Sequence, residues 1–331
     1  MYNDLFGALI SAIIPSMQAQ IHGYNTSQMT TLLLLTKDHA DYRAILEVEF
    51  PALKITSEPT EECEIVLGAP SMIVPVLNAL PNLKWIQSTW AGVEPLLDPS
   101  LRRDYTLTNA RGVFGELMSE YVIGYLLAHE RKIFERAQAQ QNREWDKSLT
   151  GRLRGKTIGL LGVGSIGADL ARTAKFFGMT VRGYTRGSES STHVDRYYHG
   201  EALIEFASGL DYLVSILPNT SETMGIVNAE LLHALPPHAV FINVGRGSAV
   251  DESALRVVLE KGNIAGAVLD VLEQEPLTKD HPFWTTKNLT LTFHTSAPSF
   301  PEDIAKVFIE NYRLYMEGKP LKYRVHFERG Y

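Results

Sequence analysis

Short apolar runs alternate with helix-period segments along most of the chain. LLLLT (32–36), IVLGAP (65–70) and LKWIQST (83–89) predict strands, with helices expected over 42–50 and 72–80. A second series starts at Lys156. TIGLLG (157–162), VRGYT (181–185), YLVSILP (212–218), AVFINVG (239–245), AGAVLD (265–270) and LTLTFH (289–294) predict strands, and a helix is expected from the glycine turn after the first of them to about Phe177. Apolar strands alternating with helical segments predict parallel α/β sheets. Between the two series, one long helix is expected from Glu116 to about Gln141. Its first half, MSEYVIGYLLAHE, is apolar and should be buried, whereas its second half, RKIFERAQAQQNREW, is polar and should project as an arm. The strands tend to end in small or polar residues, and in doubly wound sheets that carboxyl edge is where ligands sit. No internal repeat or low-complexity tract interrupts the pattern.

The length of 331 residues, 45% of them hydrophobic, suits two domains, each with its own core. A net charge of −7 with no basic cluster argues against nucleic-acid or membrane-surface binding. The single cysteine, Cys63, excludes an internal disulfide and a cysteine-rich metal site, and its apolar context predicts a buried thiol. HExxH is absent and the histidines lack metal-ligand spacing, so no metal is expected. The α/β pattern begins near Met29. Residues 1–28 are expected to be an extension outside the fold: DLFGALISAIIP is too short to span a bilayer and lacks the basic start of a secretory signal. A cytoplasmic location is the default expectation.

TIGLLGVGSIG places Gly162, Gly164 and Gly167 in GxGxxG spacing after an apolar strand and before a helical run. The first glycine serves a tight turn, the second close approach of a pyrophosphate, the third close helix–strand packing. Helix N-terminal N–H groups then face the phosphates. An acid that holds the adenosine ribose is expected roughly 20 residues on. Thr185 stands 18 residues beyond Gly167, followed by Arg186 and then Ser188. Threonine removes the repulsion that a carboxylate would exert on a 2′-phosphate, and arginine offers the phosphate charge-assisted hydrogen bonds. NADP(H) is therefore expected over NAD(H), which stays possible.

Three later strand ends carry ionisable groups: Arg246 in FINVGRGSAVDESAL, Asp270, Glu273 and Glu275 in AGAVLDVLEQEPL, and His294 in LTLTFHTSAP. Taken singly, each has a plain structural reading: a loop arginine, a solvated acid, a core histidine. Together they suit hydride transfer to a 2-keto acid. Arginine grips a carboxylate and polarises the neighbouring carbonyl. Histidine exchanges the hydroxyl proton near neutral pH, and a carboxylate beside it favours the imidazolium.

With GVGSIG, LPNTSETMGIVN, NVGRGSAVDESAL, GAVLDVLEQEP and the strand ending in His294 all in order, the chain resembles the D-isomer-specific 2-hydroxyacid dehydrogenases from Met29 onward, and most of all their glyoxylate/hydroxypyruvate reductase branch. The resemblance implies two Rossmann-like doubly wound parallel-sheet domains with the active site in the cleft between them. Residues 29–126 with 297–331 would form the substrate domain, and 127–296 the dinucleotide domain. It implies catalysis by Arg246, by His294 as acid–base, and by Glu275, which lies 29 residues after Arg246 and 19 before His294. It implies substrate contacts at Trp90, Ala91 and Gly92, and Asp270 beside the nicotinamide amide. Further cofactor contacts are expected at Ser165, Ile166, Pro218, Thr223, Val244 and Ser296. A homodimer joined through the helical arm near 115–150 is also implied. The chain departs from the family where Phe293 replaces a proline and Trp90 a glycine, and either ring would narrow the pocket. A dinucleotide-sensing corepressor and phosphoglycerate dehydrogenase are the alternatives within the family. A formate dehydrogenase is disfavoured by Glu275, and YMEGK (315–319) lacks the context of a short-chain dehydrogenase site.

Overall fold

A computed structural model describes residues 30–328. The extension expected over 1–28 lies outside the described residues. The first sheet is built from β1 (Thr31–Leu35), β2 (Lys54–Thr56), β3 (Cys63–Gly68), β4 (Trp85–Ser88) and β5 (Thr106–Thr108), with α1 (His39–Glu49) and the short α2 (Pro70–Ile73) between them. All its pairings are parallel, in the order β2-β1-β3-β4-β5. The chain then enters α3 (Gly115–Glu130) and α4 (Ile133–Gln141).

The second sheet has seven parallel strands: β6 (Thr157–Leu161), β7 (Thr180–Tyr184), β8 (Arg196–Tyr198), β9 (Tyr212–Ser215), β10 (Val240–Asn243), β11 (Gly266–Leu269) and β12 (Leu289–Leu291). Its helices are α5 (Ser165–Phe176), α6 (Leu203–Ala207), α7 (Ala229–Ala234) and α8 (Glu252–Glu260). The order β12-β11-β10-β9-β6-β7-β8 reverses between β6 and β9, so a crevice opens at the carboxyl ends of those two strands. The glycine turn leaves β6 there. Both sheets are covered on their two faces, which is why their central strands read as unbroken apolar runs.

The chain returns to the first sheet through α9 (Pro301–Met316). Phe308 stacks on Trp85 with ring centroids 5.1 Å apart, and both are fully buried. A buried polar chain backs this contact. Trp85 Nε1 donates to Thr108 Oγ1 (2.8 Å), Thr108 Oγ1 to Gln87 Oε1 (2.8 Å), and Asn311 Nδ2 to the same oxygen (3.1 Å). Every member is satisfied, so the network ties α9 to β4 and steadies the loop that follows β4. Ile166 and Ala297 each pack against core clusters of both sheets and join the two domains.

Three sequence expectations are corrected. The long helix over 116–141 is broken: Lys132 adopts φ 52 and separates α3 from α4. A non-glycine left-handed residue costs of order 1–2 kcal/mol, and no glycine or proline marks the break. The helix over 72–80 is a single α-turn followed by a 3-10 segment, Val74–Ala79, because Pro75 lacks the N–H that an α-helix needs there. The strand over 289–294 stops at Leu291, since Phe293 and His294 both turn left-handed at φ 58. Cys63 is buried, as its context predicts. No described helix is long and apolar enough to cross a membrane.

Candidate active site

The crevice holds a cavity of about 530 Å³ that runs from the loop after β4 to the loop after β7. At its centre is the glycine turn. Gly162 sits at φ 96, which a side chain would oppose, and a Cβ on Gly167 would lie 2.5 Å from the Gly162 carbonyl oxygen. The space beside Gly164 is open. The N–H groups of Ser165, Ile166 and Gly167 begin α5 and have no intrahelical acceptor. These features fit a dinucleotide pyrophosphate: a turn that needs glycine, room for the backbone to be approached, and a long helix aimed at the anion.

At one end of the cavity lie Thr185, Arg186 and Ser188. Thr185 Oγ1 donates to the Ser188 carbonyl (2.9 Å), and His199 Nδ1 is 2.8 Å from the Thr185 carbonyl. The loop is therefore braced. Arg186 pairs with Glu222 across the opening, with Nε 3.1 Å from Oε2. Pro218, Thr223 and Val244, expected as cofactor contacts, line the same cavity.

At the other end lie Ala91 and Arg246. The loop after β4 is pinned through its carbonyls. Ala110 N donates to the Trp90 oxygen (3.1 Å) and Asn109 Nδ2 to the Ala91 oxygen (2.8 Å). Among the described residues, nothing accepts from the N–H groups of Ala91 and Gly92. Arg246 crosses from the second sheet to meet this loop. A Cβ on Gly92 would fall 2.0 Å from Arg246 Nη2, so only glycine lets the guanidinium lie here. Two amides and a guanidinium are donors of the kind a carboxylate can accept from.

Arg246 is aimed by Glu94, a residue that the sequence reading passes over. Arg246 Nε donates to Glu94 Oε1 at 2.7 Å, and Nη1 donates to the Gly245 carbonyl at 2.8 Å. Burial pushes the Glu94 carboxyl up. The charge and hydrogen bond of Arg246 outweigh that, with a smaller contribution from His294, and hold it below the usual carboxylate range. Glu94 stands inside the STWAGVE stretch, but its partner is 152 residues away, a pairing that only the fold creates.

His294 approaches from the second sheet on a loop organised by Asp270. That carboxylate is buried and accepts from Thr292 Oγ1 (2.6 Å), Thr295 N (2.8 Å) and Ser296 N (3.1 Å). Its backbone oxygen accepts from His294 N (2.6 Å). The two left-handed residues are thus held by four bonds to one residue. Tyr121, on α3, reaches Thr292 Oγ1 at 2.6 Å and braces the same loop. Glu275 Oε2 lies 2.8 Å from His294 Nδ1, and its Oε1 accepts from Leu272 N at 2.9 Å. With Nδ1 donating to a carboxylate, Nε2 is the ring atom left to exchange a proton. Phe293 packs on Trp284 with centroids 5.8 Å apart, and Trp90 is half exposed. Neither lines the cavity, nor do Gly92, Asp270, Glu275, His294 and Ser296.

Residues 123–296 match the family model for the NAD-binding domain of D-isomer-specific 2-hydroxyacid dehydrogenases. A glyoxylate/hydroxypyruvate reductase A of Serratia proteamaculans is 34% identical over 230 residues, which cover 67% of this chain and 73% of that protein. A 2-hydroxyacid dehydrogenase family protein of Aeromonas salmonicida, known from its crystal structure, superposes with TM-score 0.86 at 41% identity, over 91% of this chain and all of that one. A Xanthobacter autotrophicus enzyme of the family, solved with NADPH and MES, superposes with TM-score 0.83 at 32% identity, over 92% of this chain and all of that one.

The Glu94–Arg246 pair carries a pH signature. The folded carboxyl titrates below its unfolded value of about 4.5, so its contribution is present above that pH and is lost as pH falls through the lower, folded value. Glu94→Gln removes this contribution. With the pair part-exposed, the loss at neutral pH is expected to be about 1 kcal/mol or less. The difference in Tm between wild type and variant should shrink as pH drops through the acid range. A constant difference from neutral to acid pH would contradict it.

Proposed function

This chain belongs to the D-isomer-specific 2-hydroxyacid dehydrogenase family, and within it we propose that it reduces glyoxylate or hydroxypyruvate with NADPH. It is an oxidoreductase dependent on a nicotinamide dinucleotide. The observation that supports the substrate reading is Arg246 held by Glu94 against Gly92, beside amides of Ala91 and Gly92 that have no acceptor among the described residues, together with the His294–Glu275 pair. The bound cofactor supplies a hydride for the carbonyl carbon of the substrate. Arg246 holds the substrate carboxylate and polarises the adjacent carbonyl. His294 Nε2 gives its proton to the carbonyl oxygen. Glu275 holds the ring by Nδ1 and compensates the imidazolium charge. Asp270 keeps the histidine loop in its left-handed form and borders the place where the nicotinamide amide would lie.

NADPH is preferred in this reading because Thr185 and Arg186 stand where an NAD enzyme carries an acid. The Xanthobacter relative solved with NADPH supports the choice. Residues 29–126 with 297–331 act as the substrate domain and 127–296 as the dinucleotide domain. The free buried thiol of Cys63 is compatible with a reducing compartment such as the cytoplasm. The protein acts as a homodimer joined by its arm. Support comes from apolar surface there: Trp145 is 86% exposed and Leu149 90%, with Ile133 and Phe134 also exposed.

His294→Ala is expected to lower kcat by about 10²- to 10⁴-fold. Arg246→Ala should raise KM for the keto acid and lower kcat as well. Both variants should keep the wild-type circular dichroism. Consumption of NADPH with glyoxylate, hydroxypyruvate and pyruvate tests this. Full activity in either variant, or no turnover by wild type on any of the three, would contradict it. Cofactor-dependent partner binding without turnover would instead favour a dinucleotide sensor. In light scattering the wild type should have twice the mass of the chain, and Trp145→Asp should shift it toward the monomer. An unaltered dimer would place the interface elsewhere.

A further inference from the structure

We propose that Glu222 is a specificity-determining residue that competes with the 2′-phosphate of NADPH for Arg186 and so tempers the preference for NADPH. This inference rests on the cofactor reading above. Glu222 Oε2 lies 3.1 Å from Arg186 Nε, and both side chains line the same cavity at the end that the glycine turn assigns to the adenosine ribose.

The two residues come from opposite walls. Arg186 follows β7 on the loop braced by Thr185 and His199. Glu222 follows β9 on a turn closed by its neighbours: Thr220 N donates to Thr223 Oγ1 (3.0 Å), Thr223 Oγ1 to the Pro218 carbonyl (2.6 Å), and Met224 N to the Thr220 carbonyl (3.1 Å). Each turn is closed by its own hydrogen bonds, so rotation of the two side chains is the simplest way to separate the pair. The other acid of the loop, Glu189, faces His199 Nε2 at 2.8 Å.

The chemistry follows from charge. Thr185 removes the acid that normally stands beside the ribose, but Glu222 brings a carboxylate back from across the opening. A 2′-phosphate that reaches Arg186 must displace this carboxylate or lie beside it, and either outcome weakens binding. With NADH the ribose keeps its hydroxyls, which a carboxylate accepts well. Glu222 therefore disfavours one cofactor and tolerates the other. Both side chains are more than 60% exposed, so the effect is that of a screened surface pair.

The test measures dissociation constants for NADPH and NADH by quenching of protein fluorescence in the full chain, for wild type, Glu222→Gln, Arg186→Ala and the double variant. Glu222→Gln is expected to tighten NADPH by about two- to fivefold, more at low salt than at high, without tightening NADH. In the Arg186→Ala background the same change should have a smaller effect, since the competition runs through the arginine. If Arg186→Ala weakens NADPH but Glu222→Gln leaves it unchanged or weaker, the inference fails and the cofactor reading stands. An equal gain for both cofactors overturns the inference as well. If Arg186→Ala leaves the ratio of the two constants unchanged, the cofactor reading fails and the inference with it.

Discussion

The Arg246 guanidinium is held at a place that two domains build together. Its backbone leaves the carboxyl end of β10, yet its Nε is held by Glu94 and its Nη2 packs on Gly92, both on the loop after β4. Much of the first sheet's construction secures that loop. The Trp85–Thr108–Gln87–Asn311 network locks α9 behind β4, and Asn109 and Ala110 take the carbonyls of the loop itself. With the carbonyls fixed, the amides of Ala91 and Gly92 have no acceptor among the described residues. The guanidinium and these amides thus meet where neither sheet alone would bring them together.

The second domain answers with a histidine whose backbone is costly. Two successive left-handed residues store strain of order 1 kcal/mol or more each, and one buried aspartate offsets it through four hydrogen bonds. The result is an imidazole whose Nδ1 is committed to Glu275 and whose Nε2 is not. Rigidity of this kind suits proton transfer, because a group held in reacting geometry spares the reaction the entropy of finding it. The glycine turn, the β7 loop and Arg246 line one continuous cavity, and the histidine loop stands outside that lining.

Much of this was legible in the chain. The apolar runs at 32–36, 65–70 and 83–89 and the later series locate the principal strands of both sheets, because strands buried on both faces leave continuous hydrophobic tracts. GVGSIG announces its own geometry, since glycine is demanded at φ 96 and at a 2.5 Å approach. Of the three-residue strands among the described residues, β2, β5 and β8 are too short to show a period, whereas β12 is announced by the longer run LTLTFH. The break at Lys132 carries no glycine or proline, and the left-handed turn at Phe293 and His294 is set by Asp270 from another strand. Glu94 and Glu222 both lie within motifs that were read for other residues. Their importance comes from partners that share no local sequence with them, Arg246 and Arg186, and pairwise placement of that kind is a property of the folded cleft.

We propose that a 2-keto acid is held between the Ala91–Gly92 amides with Arg246 on one side and His294 on the other. A crystal structure of the protein with NADPH and oxamate, an unreactive isostere of a small 2-keto acid, tests it most directly. The oxamate carboxylate should lie on the two amides and the Arg246 guanidinium, with the amide carbonyl oxygen within hydrogen-bond reach of His294 Nε2. Oxamate bound away from Arg246, or with that oxygen turned away from His294, would contradict it.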